Sequence, residues 1–331
     1  MTHRITRRAF SQAALAAAGA LVSLGSGSSF AQPAYPTRPV RIIVPFAAGG
    51  QADITARLVA DRLGEKLGQR FVIENQAGPG GIVAARSVLS ALPDGHTLGL
   101  ATNGTSISVA IYNVLPFDPV KDFVTISTLG YFDLVFATNF ESPFRALPDF
   151  IKAAREQPGK LNIGTIAVGS TQELGAELFK ATAALDVQII PYRSTPDVIV
   201  GLIRNDVQLM VDFYAPMEST LEQNRIRAVG TSGLTRTEYL SGVPLVSEAG
   251  VPGYEVTAWN GLFAPKGTAP AIVELLNRSV RDILAIPDIK TRFAALGIAA
   301  KASTPEEFKS RMQSDIGKWA GVIERAHIPK Q

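Results

Sequence analysis

Two glycines follow a short apolar segment and stand just before a predicted helix. The apolar segment is Val40–Val44, the glycines are Gly49 and Gly50, and the helix is predicted over Ile54–Leu67. Such a turn leaves the first N–H groups of the helix without an intrahelical acceptor. Because these donors and the helix dipole both favour negative charge, the pattern predicts an anion site. The candidate residues in this turn are Phe46, Ala47, Gly49, Gly50 and Asp53.

Two later segments predict similar chemistry. The polar residues after the predicted strand Thr97–Ala101 stand where open α/β sheets bind ligands. The turn before the predicted helix Thr171–Ala183 contains Ser170 and Glu173 at the spacing of a capping box. Either this second helix start only caps itself, or it also meets the other end of a ligand. The candidates in these two segments are Thr102, Asn103, Ser106, Gly169, Ser170 and Thr171.

Residues suited to covalent or metal chemistry are scarce. The chain has no cysteine and three histidines, which excludes thiol chemistry and a histidine-rich metal site. Around Ser106, the motif Gly104-x-Ser106-x-Ser108 imitates a nucleophile elbow but lacks the closing glycine. His96 also precedes the serine, against the order in α/β-hydrolases. We expect no enzyme and no cofactor, with an exported serine hydrolase as the alternative.

Apolar runs rich in Val, Ile and Leu alternate with amphipathic segments, which is the pattern of α/β layers around parallel sheets. Strands are predicted at Val40–Val44, Phe71–Glu74, Thr97–Ala101, Leu161–Thr165, Val187–Ile190, Val207–Val211 and Ala228–Gly230. Helices are predicted at Ile54–Leu67, Ile82–Leu92, Leu147–Glu156, Thr171–Ala183, Pro196–Arg204, Pro216–Gln223, Pro270–Leu284, Ile289–Leu296 and Pro305–Arg325. A strand over Glu255–Pro265 is predicted to cross back to the first α/β unit, so that two crossings form a hinge and a cleft.

The N-terminal segment Met1–Ala31 has the features of an export signal that is removed. Arg4, Arg7 and Arg8 form its basic end, Ala13–Leu24 its apolar stretch, and Ser29–Ala31 a small-x-small cleavage site. The arginine pair suits the twin-arginine route, and an ordinary Sec signal remains the alternative. We therefore expect a periplasmic protein.

Charge and hydropathy exclude two classes of partner. The signal holds three of the 32 basic residues and none of the 29 acidic ones, so the rest of the chain has 29 of each sign. A chain without net charge lacks the basic footprint of a nucleic-acid-binding protein. No apolar run after the signal approaches the ~20 residues that span a bilayer.

Several segments together resemble one family. They are Tyr35-Pro-x-x-Pro-Val-Arg-Ile-Ile-Val-Pro-Phe-Ala-Ala-Gly-Gly-x-x-Asp53, Ile73-Glu-Asn-x-x-Gly78-x-Gly-Gly81, Pro93-Asp-Gly-His-Thr97, Pro191-Tyr192, Glu248-Ala-Gly-Val-Pro-Gly-Tyr254, Trp259-x-Gly-Leu-Phe-Ala-Pro-x-Gly-Thr268 and Thr304-Pro-Glu-Glu-Phe308. In order and spacing they resemble the Bug/TctC-like periplasmic solute receptors of tripartite tricarboxylate transporters. The resemblance covers nearly the whole chain after the signal.

The resemblance implies an α/β, two-lobe periplasmic binding protein of type II-like topology. Each lobe is expected to hold a mainly parallel sheet flanked by helices, with two crossover strands between the lobes. The first lobe is expected to comprise positions 35–132 and 257–331, and the second lobe positions 133–256. The implied ligand is a small carboxylate, held in the cleft by backbone amides and bridging waters. The implied partners are the membrane components of the transporter; a sensor kinase is the alternative, and the protein is expected to be a monomer.

The resemblance also implies roles for individual residues, and for some of them a second role remains open. Asp53 either caps its helix or orders the waters that bridge to the ligand. Tyr192 belongs to the shared Pro-Tyr motif, and Asp212 ends a predicted strand at the cleft edge, followed by aromatic residues that could stack on an aromatic carboxylate. Glu173 stands where the family usually has histidine, which favours a monocarboxylate or an amino-bearing ligand unless Glu173 serves the cap. Ser194 replaces a usual glycine.

Overall fold

The computed structural model describes residues 35–325 and 327–331, so the expected export signal lies outside the described residues. The fold below is that of the unit Arg38–Gln331. Its strands are β1 (Val40–Val44), β2 (Phe71–Asn75), β3 (Thr97–Thr102), β4 (Phe123–Asn139), β5 (Asn162–Ile166), β6 (Gln188–Tyr192), β7 (Leu209–Phe213), β8 (Ile226–Thr231), β9 (Thr257–Pro265) and β10 (Ala299–Ala300). Its helices are α1 (Gln51–Leu67), α2 (Ile82–Leu89), α3 (Asn103–Ile111), α4 (Pro119–Asp122), α5 (Leu147–Glu156), α6 (Thr171–Thr182), α7 (Thr195–Ile203), α8 (Glu218–Glu222), α9 (Pro270–Ala285), α10 (Pro287–Ala295) and α11 (Pro305–Arg325).

Two groups of three parallel strands are joined by two antiparallel strands. The sheet order is β2-β1-β3-β9-β4-β7-β5-β6, and β8 and β10 also pair with β4. β1 pairs in parallel with β2 and β3, and β5 pairs in parallel with β6 and β7. β9 runs antiparallel to both β3 and β4. The predicted α/β class, with parallel strands in each half and two connecting strands, is confirmed.

The long strand β4 links the two halves. Phe123–Asp133 pairs with β9, whereas Leu134 and the residues after it pair with β7 and β8. The sequence pattern does not predict this strand, because β4 is buried along nearly its whole length and lacks the alternation of a half-exposed strand. The crossing strand predicted over Glu255–Pro265 is found as β9, which begins at Thr257.

Helix bounds depart from the predictions where local capping decides them. α1 begins at Gln51, three residues earlier than predicted, because Gly50 rather than Asp53 is the N-cap. α2 ends at Leu89 instead of Leu92, since the residue before Pro93 avoids helical geometry. The predicted span of α11 is confirmed, and its capping box joins the N–H of Thr304 to Glu307 at 2.8 Å and the N–H of Glu307 to the Thr304 hydroxyl at 3.1 Å.

Helix α11 closes the core of the first half. Its Phe308 is fully buried and lies edge-to-face on Trp259, with ring centroids 5.2 Å apart. A Cβ on Gly261 of β9 would overlap the Phe308 ring, so the ring occupies the space that the glycine leaves. Between residues 35 and 331, no described helix combines the length and apolar character needed to cross a bilayer.

Phe308→Ala should lower the free energy of unfolding by ~3–5 kcal/mol, because it leaves a cavity over Gly261 and Trp259. Urea unfolding followed by circular dichroism measures the change. Leu92→Ala is the control, since the Leu92 side chain is mostly exposed to solvent. Substitutions at such surface positions usually change stability by no more than about half a kcal/mol. Equal losses in the two variants would contradict this account of the core.

Candidate ligand-binding site

Three helices begin around one pocket. α1, α3 and α6 follow β1, β3 and β5, and their first residues or N-cap residues line the pocket. Its empty volume, which includes space open to solvent, is about 370 Å³. We call it the helix-start pocket; its lining residues are Phe46, Gly50, Gln51, Ala52, Thr102, Phe132, Ile166, Thr171, Gln172, Phe213, Ala258, Trp259 and Asn260. None of the described residues that line it is charged, so the helix starts supply its positive potential.

The turn before α1 is stabilised by a hydrogen bond between its own glycine and an aspartate of the helix. Gly49 adopts a φ of 84°, which favours glycine, and its N–H donates to Asp53 Oδ2 at 3.0 Å. The N-cap Gly50 has no side chain to accept from the helix. The N–H groups of Gln51 and Ala52 therefore start the helix without an intrahelical acceptor, beside the pocket.

Asp53 is a structural anchor of this turn. It is buried and accepts from Arg57 Nε at 2.9 Å and from Asn75 Nδ2 at 3.0 Å, in addition to Gly49. Asn75 Nδ2 also donates to the carbonyl of Phe46 at 3.0 Å. Burial alone would raise the pKa of Asp53, but the bonds from Arg57, Gly49 and Asn75 outweigh it and lower the pKa. The N-cap interpretation of Asp53 is wrong, because Asp53 is the third helical residue and binds the turn instead.

The turn before α6 repeats this arrangement. Gly169 has a φ of 79°, and its N–H donates to Glu173 Oε2 at 2.9 Å, again across four residues. The Ser170 hydroxyl accepts the N–H of Glu173 at 3.1 Å, which confirms half of the predicted capping box. The other half differs, since Glu173 accepts from Gly169 rather than from Ser170. Thr171 and Gln172 lie at the pocket in the first turn of α6.

The two turn carboxylates differ in charge state. Asp53 has the guanidinium of Arg57 at 2.9 Å. Glu173 is 8% exposed. Burial raises the pKa of Glu173 to about 7, with the Gly169 N–H opposing that rise and Glu177 adding to it. The α1 turn is thus charged across the neutral pH range, whereas the α6 turn titrates within it.

Asp212 lies behind the pocket and positions Gln172. It is fully buried, and its Oδ1 accepts from Gln172 Nε2 at 2.8 Å while its Oδ2 accepts from the Thr195 hydroxyl at 2.7 Å. Burial raises the pKa of Asp212, and the hydrogen bonds from Gln172, Thr195 and the Phe213 N–H oppose that rise. Asp212 thus holds one amide that lines the pocket.

Apart from Asp212, most of the predicted site residues line this pocket or shape the turns beside it, but four do not. Phe46, Gly50, Thr102 and Thr171 line it; Gly49, Asp53, Gly169 and Ser170 shape the two turns. Asn103 and Ser106 face α11 instead: Asn103 Oδ1 accepts from Trp319 Nε1 at 3.2 Å, and Ser106 Oγ donates to the Met312 carbonyl at 3.2 Å. Ala47 and Tyr192 are half-buried outside the lining, and Tyr192 packs on Gly201.

Sequence reasoning missed three amide side chains of the pocket. They are Gln51, Gln172 and Asn260. Gln51 and Asn260 occupy variable positions inside the quoted motifs, so their residue type carried no signal. In the structure Gln51 is 3% and Asn260 2% exposed, and Gln51 Nε2, Gln51 Oε1 and Asn260 Nδ2 are buried without a hydrogen-bond partner. No group of described histidine, aspartate and glutamate residues could hold a metal ion.

Glu173→Gln should change the pH dependence of stability in one direction. Because folding raises the pKa of Glu173 from 4.5 to about 7, the protonated side chain contributes its full stabilisation below pH 4.5. This contribution is lost as the pH rises to about 7. The variant cannot ionise, so its free energy of unfolding should gain on the wild type between these pH values. Urea unfolding at a series of pH values measures this difference. The same gain in the exposed control Glu156→Gln would contradict it.

Comparison with known proteins identifies relatives over most of the chain. A family model described as tripartite tricarboxylate transporter family receptor matches residues 55–328. Protein BugT of Bordetella pertussis is 30% identical over 305 residues, which are 92% of this chain and 94% of BugT.

Solved structures share the architecture. Rpa4515 of R. palustris with adipate is 32% identical, with a TM-score of 0.86 over 89% of this chain and 99% of that chain. MatC of Rhodopseudomonas palustris with bound malate is 32% identical, with a TM-score of 0.82 over 87% of this chain and 100% of that chain. Periplasmic binding protein BugD is 27% identical, with a TM-score of 0.85 over 90% of this chain and 100% of that chain.

These relatives confirm the resemblance, the two-lobe periplasmic-binding-protein fold, and the expectation of a solute-binding protein instead of an enzyme. The chain belongs to the receptor family of the tripartite tricarboxylate transporters.

Proposed function

We propose that the protein captures a small carboxylate in the helix-start pocket and delivers it to the membrane components of a tripartite tricarboxylate transporter. The observation that carries the proposal is the convergence of three helix starts on one pocket without a charged lining residue among those described. Fixed N–H donors at helix starts bind anions without a cationic side chain. The adipate and malate bound to the two R. palustris relatives support a carboxylate, and the family description supports the transporter.

Hydrogen bonds from the helix starts can contribute free energy on the scale that micromolar binding of a carboxylate needs. Each hydrogen bond to a charged group contributes ~1.5–3 kcal/mol net. Micromolar binding needs about 8 kcal/mol. Four or five such bonds reach this value before the entropic cost of association is subtracted, and bridging waters complete the shell.

In this proposal, the two halves of the molecule are two lobes that hold the ligand between them. The first lobe (positions 35–132 and 257–331) and the second lobe (positions 133–256) would close on the ligand about β4 and the chain entering β9. The pocket draws Gln51 and Asn260 from the first lobe and Gln172 from the second. Capture in the periplasm, after export of a monomer by the Sec or twin-arginine route, completes the proposal.

Carboxylates should stabilise the protein against heat. The purified protein, freed of bound ligand by unfolding and refolding, is melted with aliphatic, aromatic and amino-bearing carboxylates. A ligand present at about a hundredfold excess over its dissociation constant adds ~2.7 kcal/mol of stability and raises the melting temperature. If folded, ligand-free protein responds to none of these compounds, the proposed function fails.

Asp53→Ala should weaken carboxylate binding by about tenfold or more, because it releases Gly49 and Asn75 and lets the α1 turn relax. Titration calorimetry with the carboxylate that gives the largest thermal shift measures the loss. Asp61→Ala, an exposed aspartate on the same helix, is the control. Unchanged affinity in folded Asp53→Ala protein would remove Asp53 from the site.

A further inference from the structure

The helix-start pocket contains polar atoms that nothing in the described residues satisfies. Both amide atoms of Gln51 and the Nδ2 of Asn260 are buried without a partner. Buried polar groups in native proteins are nearly always paired, and unpaired ones are costly. Whichever way its amide is turned, Gln51 offers an acceptor oxygen and a donor NH2 group to whatever fills the pocket.

Apart from Thr102, Thr171 and Gln172, the rest of the lining is apolar and rich in aromatic rings. Four aromatic side chains line the pocket, namely Phe46, Phe132, Phe213 and Trp259. Phe132 and Phe213 meet edge-to-face with ring centroids 4.6 Å apart. Aromatic walls of this kind favour a flat apolar body that stacks on them.

We propose, building on the proposed function, that the ligand is a monocarboxylate whose apolar ring carries a hydroxyl group that hydrogen-bonds to Gln51. A hydroxyl both donates and accepts, so it satisfies the oxygen and the nitrogen of this amide. The Asn260 amide donates to a ligand oxygen, and the carboxylate lies at the helix starts. Gln51 is then the residue that sets specificity.

A second carboxylate fits this pocket poorly. An ionised carboxylate only accepts hydrogen bonds, so it would leave Gln51 Oε1 unpaired. It would also bring a second negative charge into a described lining without a cation, and a buried charge without a partner is strongly disfavoured. An ammonium group only donates and would leave the amide nitrogens of Gln51 and Asn260 unpaired. A hydroxyl avoids both penalties.

Titration calorimetry on ligand-free protein tests the proposal with matched compounds. The probes are the three hydroxybenzoate isomers, benzoate, terephthalate, adipate and malate. One hydroxybenzoate isomer should bind at least tenfold more tightly than benzoate, terephthalate and the two aliphatic diacids. Tighter binding of a diacid, or equal binding of benzoate and all hydroxybenzoates, overturns this proposal and leaves the proposed function intact. Absence of binding by every carboxylate overturns both.

Variants of Gln51 assign the preference to that residue. Gln51→Leu should reduce the preference for hydroxybenzoate over benzoate by about tenfold, because the hydroxyl loses its partner and benzoate no longer leaves a buried amide unpaired. Gln51→Met repeats the test should the leucine variant fold poorly. Gln188→Leu, at an exposed glutamine of β6, is the control and should keep the preference. A preference retained in the Gln51 variants would overturn the assignment, whereas the wild-type series tests the ligand class without any variant.

Discussion

The site depends on one constraint, which is that a helix start needs acceptors for its first N–H groups. In α1 and α6 a carboxylate four residues into the turn accepts from a glycine with positive φ, namely Gly49 or Gly169. This hydrogen bond uses the N–H of the glycine, so the N–H groups of the first helical residues remain available beside the pocket. The rest of the fold supports it: β1 and β5 end where the two turns begin, and β4 joins the halves that carry them.

The two turns share one hydrogen-bond pattern, but their carboxylates differ in pKa. Arg57 keeps Asp53 charged, whereas burial without a cation lifts the pKa of Glu173 to about 7. An ionised Glu173 adds a negative charge behind the α6 start and opposes an anion there, while the protonated form does not. The α1 turn thus keeps its charge near neutral pH, whereas the charge of the α6 turn changes with pH in that range.

The sequence predicted the fold class and the two glycine turns, because glycine and capping residues act within a few positions of themselves. It missed β4, since a strand buried on both faces shows no alternation, and it missed α3, which starts at Asn103 directly after β3. Gln51 and Asn260 lie beyond local reasoning for another reason. These two residues are notable because their amides are buried without a partner. That burial arises only when β9 packs beside the turn before α1, which is about 200 residues earlier in the chain.

Under the proposed function, a pocket that binds anions through backbone donors would also couple lobe closure to the ligand. An arginine would keep its charge and could pair with water or a carboxylate in the empty state. Backbone N–H groups cannot rotate away as an arginine side chain can, so closure of the empty pocket would leave them, and the Gln51 amide, buried and unpaired at a cost of ~1–3 kcal/mol each. A ligand that satisfies them would remove this cost, so that filling the pocket would stabilise the closed form. Under the proposed function, the unpaired amides would therefore help the protein to distinguish its loaded form from its empty form.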